Sequence, residues 1–144
     1  MKSREIKPYT RQVYYYETDK MGIVHHSNYI RWLEEARVHM LSEINYPFEL
    51  IEQQGIEIPV LAVNCEYKYP LTFGDIFEIQ PIVTFFNGCR VIFEYKVINK
   101  TAGKISALCK TEHCFTNMKM RPIRIQKAYS EVYDMIVDSV DKFE

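Results

Sequence analysis

No stretch of the 144 residues stays apolar for the ~18 positions that a membrane-crossing helix requires, so membrane insertion is not expected. Charge of neither sign dominates: 18 Lys and Arg stand against 19 Asp and Glu, a formal net charge of −1. Without a global basic field, sequence-independent binding to nucleic acid or anionic lipid is excluded as the main role. Cysteine is sparse. Cys65, Cys89, Cys109 and Cys114 form no C-x-x-C pair and have no His at zinc-finger spacing, so they read as free thiols of a reducing compartment. The opening segment, residues 1–8, is polar and lacks the apolar core of a secretory signal, which points to a cytoplasmic protein. What the chain does have is 47% apolar and 26% charged residues, the range of ordinary globular domains, at a length that suits one domain over residues 1–144. Eleven Tyr and eight Phe beside a single Trp favour half-buried sheets and interfaces, and hence β structure and an oligomer.

Residues 9–16 mix aromatic and β-branched side chains with polar ones at a period near two, which predicts a strand ending in the turn-rich run from Glu17 to Gly22. Ser27 or Asn28 then suits the cap of a helix whose Tyr29, Trp32, Leu33, Ala36, Met40 and Leu41 share one face. Ile30, Val38 and Ile44 widen the apolar arc, so this helix is expected to be wrapped by other structure over much of its length. Pro47 suits the first turn of a short helix over residues 48–54, which Gly55 ends. Alternation then predicts strands over 60–69, 76–86, 90–98 and 104–116. In the first of these, Leu61, Val63, Cys65, Tyr67 and Tyr69 lie on one face. Short links at Gly74-Asp75, Asn87-Gly88 and residues 99–103 argue for an antiparallel meander. A last apolar stripe, Tyr129, Val132, Tyr133, Ile136, Val137 and Val140, predicts a terminal helix docked on the rest of the protein or on a partner subunit. The fold class is therefore α+β: an antiparallel sheet of about five strands wrapped around one long helix, an order that matches the hotdog fold.

The motif-bearing stretch runs from Tyr16 to Arg37 as Y-E-T-D-K-M-G-I-V-H-H-S-N-Y-I-R-W-L-E-E-A-R. Its Asp, a Gly three residues later, a His seven later and an Asn-Tyr pair resemble the signature of the 4-hydroxybenzoyl-CoA thioesterase family, and most closely its subgroup of acyl-CoA thioesterases associated with the Tol-Pal system. More loosely the resemblance extends along the whole chain, including Arg121-Pro122 after the last strand. It implies a hydrolase of short-chain, medium-chain or aromatic acyl-CoA that needs no cofactor. It also implies a homodimer or homotetramer with sites between hotdog subunits. The family's catalytic carboxylate falls on Asp19. In the Tol-Pal-associated subgroup a His stands where His26 does, whereas the hydroxybenzoyl enzyme has Tyr there. The chain departs from its relatives at His25, where an aromatic residue is common.

The chemistry agrees with that assignment. A thioester carbonyl requires a nucleophile or an activated water, and donors aimed at the oxygen on which negative charge develops. Asp19 offers a carboxylate, and the helix start near His26 to Asn28 offers N–H groups for an oxyanion. His26 is read as a second catalytic residue, positioning the carbonyl or water. Gly22 permits a close bend past a ligand, so Gly22, Ile23 and Val24 are expected to line the substrate. Asn28 reads equally as a substrate contact or a helix cap. Tyr29 and Trp32 read as core before pocket, with Tyr29 kept as a candidate substrate contact. Arg90 and Arg121, with Lys119 and Arg124, are candidates for the phosphates of CoA. His25 and His26 make a poor metal pair, because adjacent side chains diverge and no third ligand lies at suitable spacing. Glu34, Glu35 and Arg37 are expected to form surface or intersubunit ion pairs, with Glu35 spaced to meet His39. An acyl carrier protein is the alternative donor of the acyl group. A hotdog hydratase or a non-catalytic acyl-thioester-binding module is the alternative to a hydrolase.

Overall fold

A computed structural model describes residues 7–44 and 48–139. Strand β1 (Tyr9–Gln12) leads through a 3₁₀ turn (Tyr15–Glu17) to helix α1 (Ser27–Glu43) and short helix α2 (Phe48–Gln53). Strands β2 (Val60–Tyr67), β3 (Ile76–Phe86), β4 (Arg90–Asn99) and β5 (Lys104–Cys114) follow, then helices α3 (Ile125–Ala128) and α4 (Ser130–Ser139). The strands form one antiparallel sheet in the order β1-β3-β4-β5-β2. α1 lies across one face of it. Trp32 stacks on Phe77 with ring centroids 4.1 Å apart, and Leu33, Ala36 and Met40 are buried against the same sheet. Three- and four-residue spacing puts these side chains on one stripe, and burying them stabilises the fold by about 2 kcal/mol per large side chain.

Only β3-β4-β5 form the expected meander. β2 pairs with β5 and not with β3, so residues 68–75 cross from one sheet edge toward the other. The crossing segment receives the loop that follows β1: Val24 N–H donates to the Leu71 carbonyl at 2.8 Å, and Ile23 pairs with Thr72. A pattern of alternation says which residues share a face, but it carries no information on which strand is the neighbour.

β1 also ends earlier than the period-two pattern predicts, at Gln12. The Glu17 carboxylate accepts the Tyr14 N–H, and Glu17 N–H returns to the Tyr14 carbonyl, closing a turn that leaves Tyr15 and Tyr16 exposed. β2 ends at Tyr67 and β5 at Cys114, each two residues short of the expected span. Around α1 the wrapping is partial, for Ile44 is buried while Ile30 and Val38 stay open to solvent. β2 is opener still. Cys65 faces Cys109 and Val63 faces Thr111 across the ladder, so both share the helix side of the sheet, yet Leu61, Val63 and Tyr67 remain exposed at this edge, although the Tyr67 ring meets Tyr29 of α1.

Pro47 and Val140 lie outside the described residues. Among the described parts of the C-terminal stripe, Tyr133 packs on Phe86, Ile136 is buried, and the Tyr129 hydroxyl donates to the Gln54 carbonyl at 3.2 Å. Glu35 does not meet His39. It accepts the Tyr9 hydroxyl at 2.6 Å and faces Arg11 at 3.5 Å, while His39 bonds to the Lys7 carbonyl. β1, brought alongside α1 by the sheet, outcompetes the local helical contact. Arg37 likewise leaves the surface pairing expected of it and donates to the Tyr95 hydroxyl at 3.0 Å.

Candidate active site

Glu17 organises this region. Its carboxylate is 5% exposed and accepts Arg11 Nη2 at 2.5 Å, Trp32 Nε1 at 2.9 Å and the Tyr14 N–H at 2.8 Å. Burial raises its pKa, but the donors from Tyr14, Trp32 and Arg11 outweigh burial and hold the group below the ordinary carboxylate range. Its carbonyl accepts the His25 N–H and Asn28 Nδ2, each at 2.9 Å. The loop 18–24 is thus tied off where it leaves the 3₁₀ turn and where it enters α1.

Within the loop, residues 19–23 form a tight hairpin. Asp19 N–H donates to the Ile23 carbonyl at 2.8 Å, and Gly22 N–H to the Asp19 carbonyl at 3.0 Å. Gly22 has a φ of +81°, a left-handed conformation that a side chain disfavours. The half-buried Asp19 carboxylate uses Oδ1 to accept Met21 N–H at 2.8 Å and Ile23 N–H at 3.4 Å. Among the described residues Oδ2 has no donor.

The helix start departs from the expected cap. His26 is the N-cap residue, and its own side chain makes no capping bond. His25 does that work: its Nδ1 accepts the Ser27 N–H at 3.2 Å and contacts Ser27 Oγ at 2.8 Å. Asn28 N–H is taken by the His25 carbonyl and Tyr29 N–H by the His26 carbonyl. The free donors therefore do not extend from His26 to Asn28. Among the described residues, the N–H of His26 is the one at this helix start without an acceptor. Its ring stacks on His25 with centroids 4.2 Å apart and meets the edge of Tyr67 at 6.4 Å. Asn28 is not the cap, since its side chain is bound to the Glu17 carbonyl. Tyr29 is buried against Trp32 and Tyr67, and burial pushes its phenol pKa up. Val24 is buried in the core, while Ile23 is half-buried at the hairpin's edge.

Asp19, Gly22, Ile23, His26, Asn28 and Tyr29 are thus gathered in one place, whereas the basic candidates are not. Arg90 begins β4 beside Cys114, where it pairs with Glu112 at 2.7 Å. Arg121 sits in the turn after β5, its N–H on Asn117 Oδ1. Both belong to the end of the sheet where β2 begins, opposite His113; Tyr67 and His26 belong to the end where β2 finishes, opposite Ala107. About 20 Å of strand separates the two ends at roughly 3.3 Å per residue.

Two shallow grooves among the described residues lie away from Asp19 and His26. One lies beside α1 between Tyr9 and His39, the other on β2 and β5 around Asn64 and Lys110. Glu17 and Tyr67 are the members of this region that spacing did not single out. A glutamate inside an aromatic run is the trace that Glu17 leaves in the sequence. Among the described residues no three His, Cys, Asp or Glu side chains converge as a metal site.

Comparison with known proteins gives a consistent picture. The profile of the thioesterase-like superfamily matches residues 13–136. YneP of Bacillus subtilis, provisionally named an acyl-CoA thioesterase, is 31% identical over 121 residues, covering 83% of this chain and 87% of that protein. The acyl-CoA thioesterase YbgC of Haemophilus influenzae is 27% identical over 117 residues, covering 81% and 85%. A crystal structure of the DHNA-CoA thioesterase of Staphylococcus aureus superposes with a TM-score of 0.86 at 26% identity, covering 91% of this chain and 88% of that one.

Proposed function

The chain belongs to the thioesterase-like superfamily, and from that premise we propose that it hydrolyses short-chain, medium-chain or aromatic acyl-CoA with Asp19 acting at the thioester carbon and the His26 N–H receiving the carbonyl oxygen. The observation that carries this reading is a carboxylate whose Oδ2 has no donor, and a helix-start N–H that has no acceptor, among the described residues, both on a loop that Glu17 ties at its two ends. Oδ1, held by two backbone donors, orients the group; Oδ2 reacts. It attacks the carbonyl carbon directly, giving an anhydride that water cleaves, or it takes a proton from the attacking water. In both routes the C–S bond breaks, CoA leaves as its thiolate, and one water becomes the acid's new oxygen and the thiol's proton. A thiol of pKa about 8.5 leaves without strong acid assistance, so no dedicated general acid is required. Charge on the carbonyl oxygen is met by the His26 N–H at the positive end of α1.

The open edge of β2 supports assembly as a dimer. An antiparallel pairing of two β2 strands about a two-fold axis sets the start of one strand beside the end of the other. It would cover Leu61, Val63 and Tyr67 and carry the basic end of one copy, with Arg90 and Arg121, to the Asp19 end of its partner. That removes the 20 Å separation found within one chain, and cations then stand where the phosphates of CoA would lie. Four unpaired thiols suit a reducing cytoplasmic setting.

The test is thiol release from a panel of short, long and aromatic acyl-CoAs by the wild type and by Asp19→Asn, with folding of both verified by circular dichroism. The wild type is expected to turn over at least one of them and the variant to lose about 10²-fold or more in kcat. A variant as fast as the wild type overturns the assignment of Asp19.

A further inference from the structure

Tyr67, the last residue of β2, is a side chain that neither the motif nor the mechanism uses. Its hydroxyl lies 3.4 Å from the His26 carbonyl, so it donates there, although the residue is 41 positions away in sequence. Its ring stands edge-on to Tyr29, with centroids 4.9 Å apart and planes at 74°, and faces the His26 ring at 68°. Tyr29 is in turn fixed by Trp32, whose indole N–H is held by Glu17. No side-chain atom of His26 is anchored by a hydrogen bond among the described residues, and Ser27 is occupied by His25. The His26 carbonyl accepts the Tyr29 N–H from within the helix, and Tyr67 adds a second donor to it from a strand outside the loop.

We propose that Tyr67 is a positioning residue of this thioester site: by donating its hydroxyl to the His26 carbonyl, in the peptide plane that joins His26 to Ser27, and laying its ring against Tyr29, it fixes the first turn of α1 and so the N-cap residue from which the His26 N–H projects. The inference rests on the reading of Asp19 and His26 given above. An oxyanion donor is effective only when its direction is set before the charge develops, and a displacement of about 1 Å at a reacting centre can cost ~10²-fold. β2 is a suitable anchor because seven of its eight residues are laddered to β5, whereas the loop that carries His26 is held at separate points. Burial, followed by the neighbouring Cys65, pushes the Tyr67 phenol up to about 12, so it remains a protonated donor across any working pH.

Tyr67→Phe removes the hydroxyl and retains the ring. Its kcat is expected to fall about tenfold with KM within about twofold, because the missing contact acts on the transition state and not on substrate binding. The melting temperature should stay close to that of the wild type, since Phe keeps the ring and the hydrogen bond that is lost is long, at 3.4 Å. Tyr67→Leu, which loses the ring as well, should fall at least as far. Tyr69→Phe serves as the control: Tyr69 lies two residues on and faces Lys104, so its kcat should be unchanged. A Tyr67→Phe enzyme with wild-type kcat overturns the inference, as does one whose melting temperature drops while kcat is kept, which marks a purely structural residue. Asp19→Asn, assayed in parallel, separates the two levels. Loss of activity in Asp19→Asn with none in Tyr67→Phe refutes the role of Tyr67 alone, and full activity in Asp19→Asn removes the site reading together with the inference built on it.

Discussion

Glu17 illustrates how one buried charge can serve a neighbouring site without reacting itself. Its carboxylate holds Arg11, Trp32 and the Tyr14 N–H while its carbonyl holds His25 and Asn28, so a single residue joins β1, the turn, the loop 18–24 and α1. Replacing it by Gln removes the shorter ion pair of the Arg11 guanidinium, 15% exposed, and leaves it the longer one to the more exposed Glu35 at 3.5 Å. Removing one member of a buried pair costs about 3 to 5 kcal/mol, so Glu17→Gln should lower stability at pH 7 by about 3 kcal/mol. The acid limb of stability carries a second signature. The Glu17 pKa is depressed in the fold, so its contribution is complete above the unfolded value of about 4.3 and is lost as pH falls through the folded value. His113 acts in a higher window. Burial, with Arg37 nearby, lowers its pKa to about 4, so the unfolded chain binds the extra proton and stability declines as pH falls from about 6.5 to 4. Melting temperature against pH should show both falls in the wild type, and only the His113 fall in Glu17→Gln. A variant that keeps the fall below pH 4.3 contradicts this account.

Among the elements, the hairpin 19–23 sets the geometry of the Asp19 carboxylate, and Gly22 sets the hairpin. A Cβ built on Gly22 meets no heavy atom within 4 Å, so Gly22→Ala creates no clash and its penalty comes from the left-handed φ alone. The expected destabilisation is about 1 kcal/mol. Activity should suffer more than stability, because relaxing φ shifts the Met21 and Ile23 N–H groups that orient Oδ1 of Asp19. Thermal unfolding and kcat measured on the same preparation test this. An unchanged kcat would mean that the hairpin tolerates the shift without moving the carboxylate.

At the scale of the whole molecule, the exposed helix-side face of β2 and the distance between the acidic and basic ends of the sheet point the same way. On the proposed reading, one chain presents the Asp19 loop and a second chain brings Arg90 and Arg121 to it. Leu61→Asp, at a site 54% exposed in the single chain, should leave the monomer folded, shift sedimentation equilibrium from dimer to monomer, and abolish turnover. A Leu61→Asp protein that still sediments as a dimer would exclude β2 as the interface. A monomeric one with full activity would show that a single chain completes the site.

Much of this protein is legible in residue order, because the relevant signals are local. The buried stripe of α1 follows from spacing, the strands from alternation, and the reactive cluster from an Asp, Gly and His at fixed separations within one loop. Membership of the superfamily, matched over residues 13–136, rests on the same order of residues. Contacts that join distant parts of the chain were decided by tertiary structure. The place of β2 beside β5 depends on the crossing of residues 68–75, and no alternating pattern distinguishes one neighbour from another. The same holds for the capture of Glu35 by Tyr9, the anchoring of the helix start by Glu17, and the meeting of Tyr67 with His26. Each competes with a plausible local partner and wins because packing has already paid the entropy of bringing the two segments together. Periodicity reports which side of an element is apolar; only the folded chain determines what that side meets.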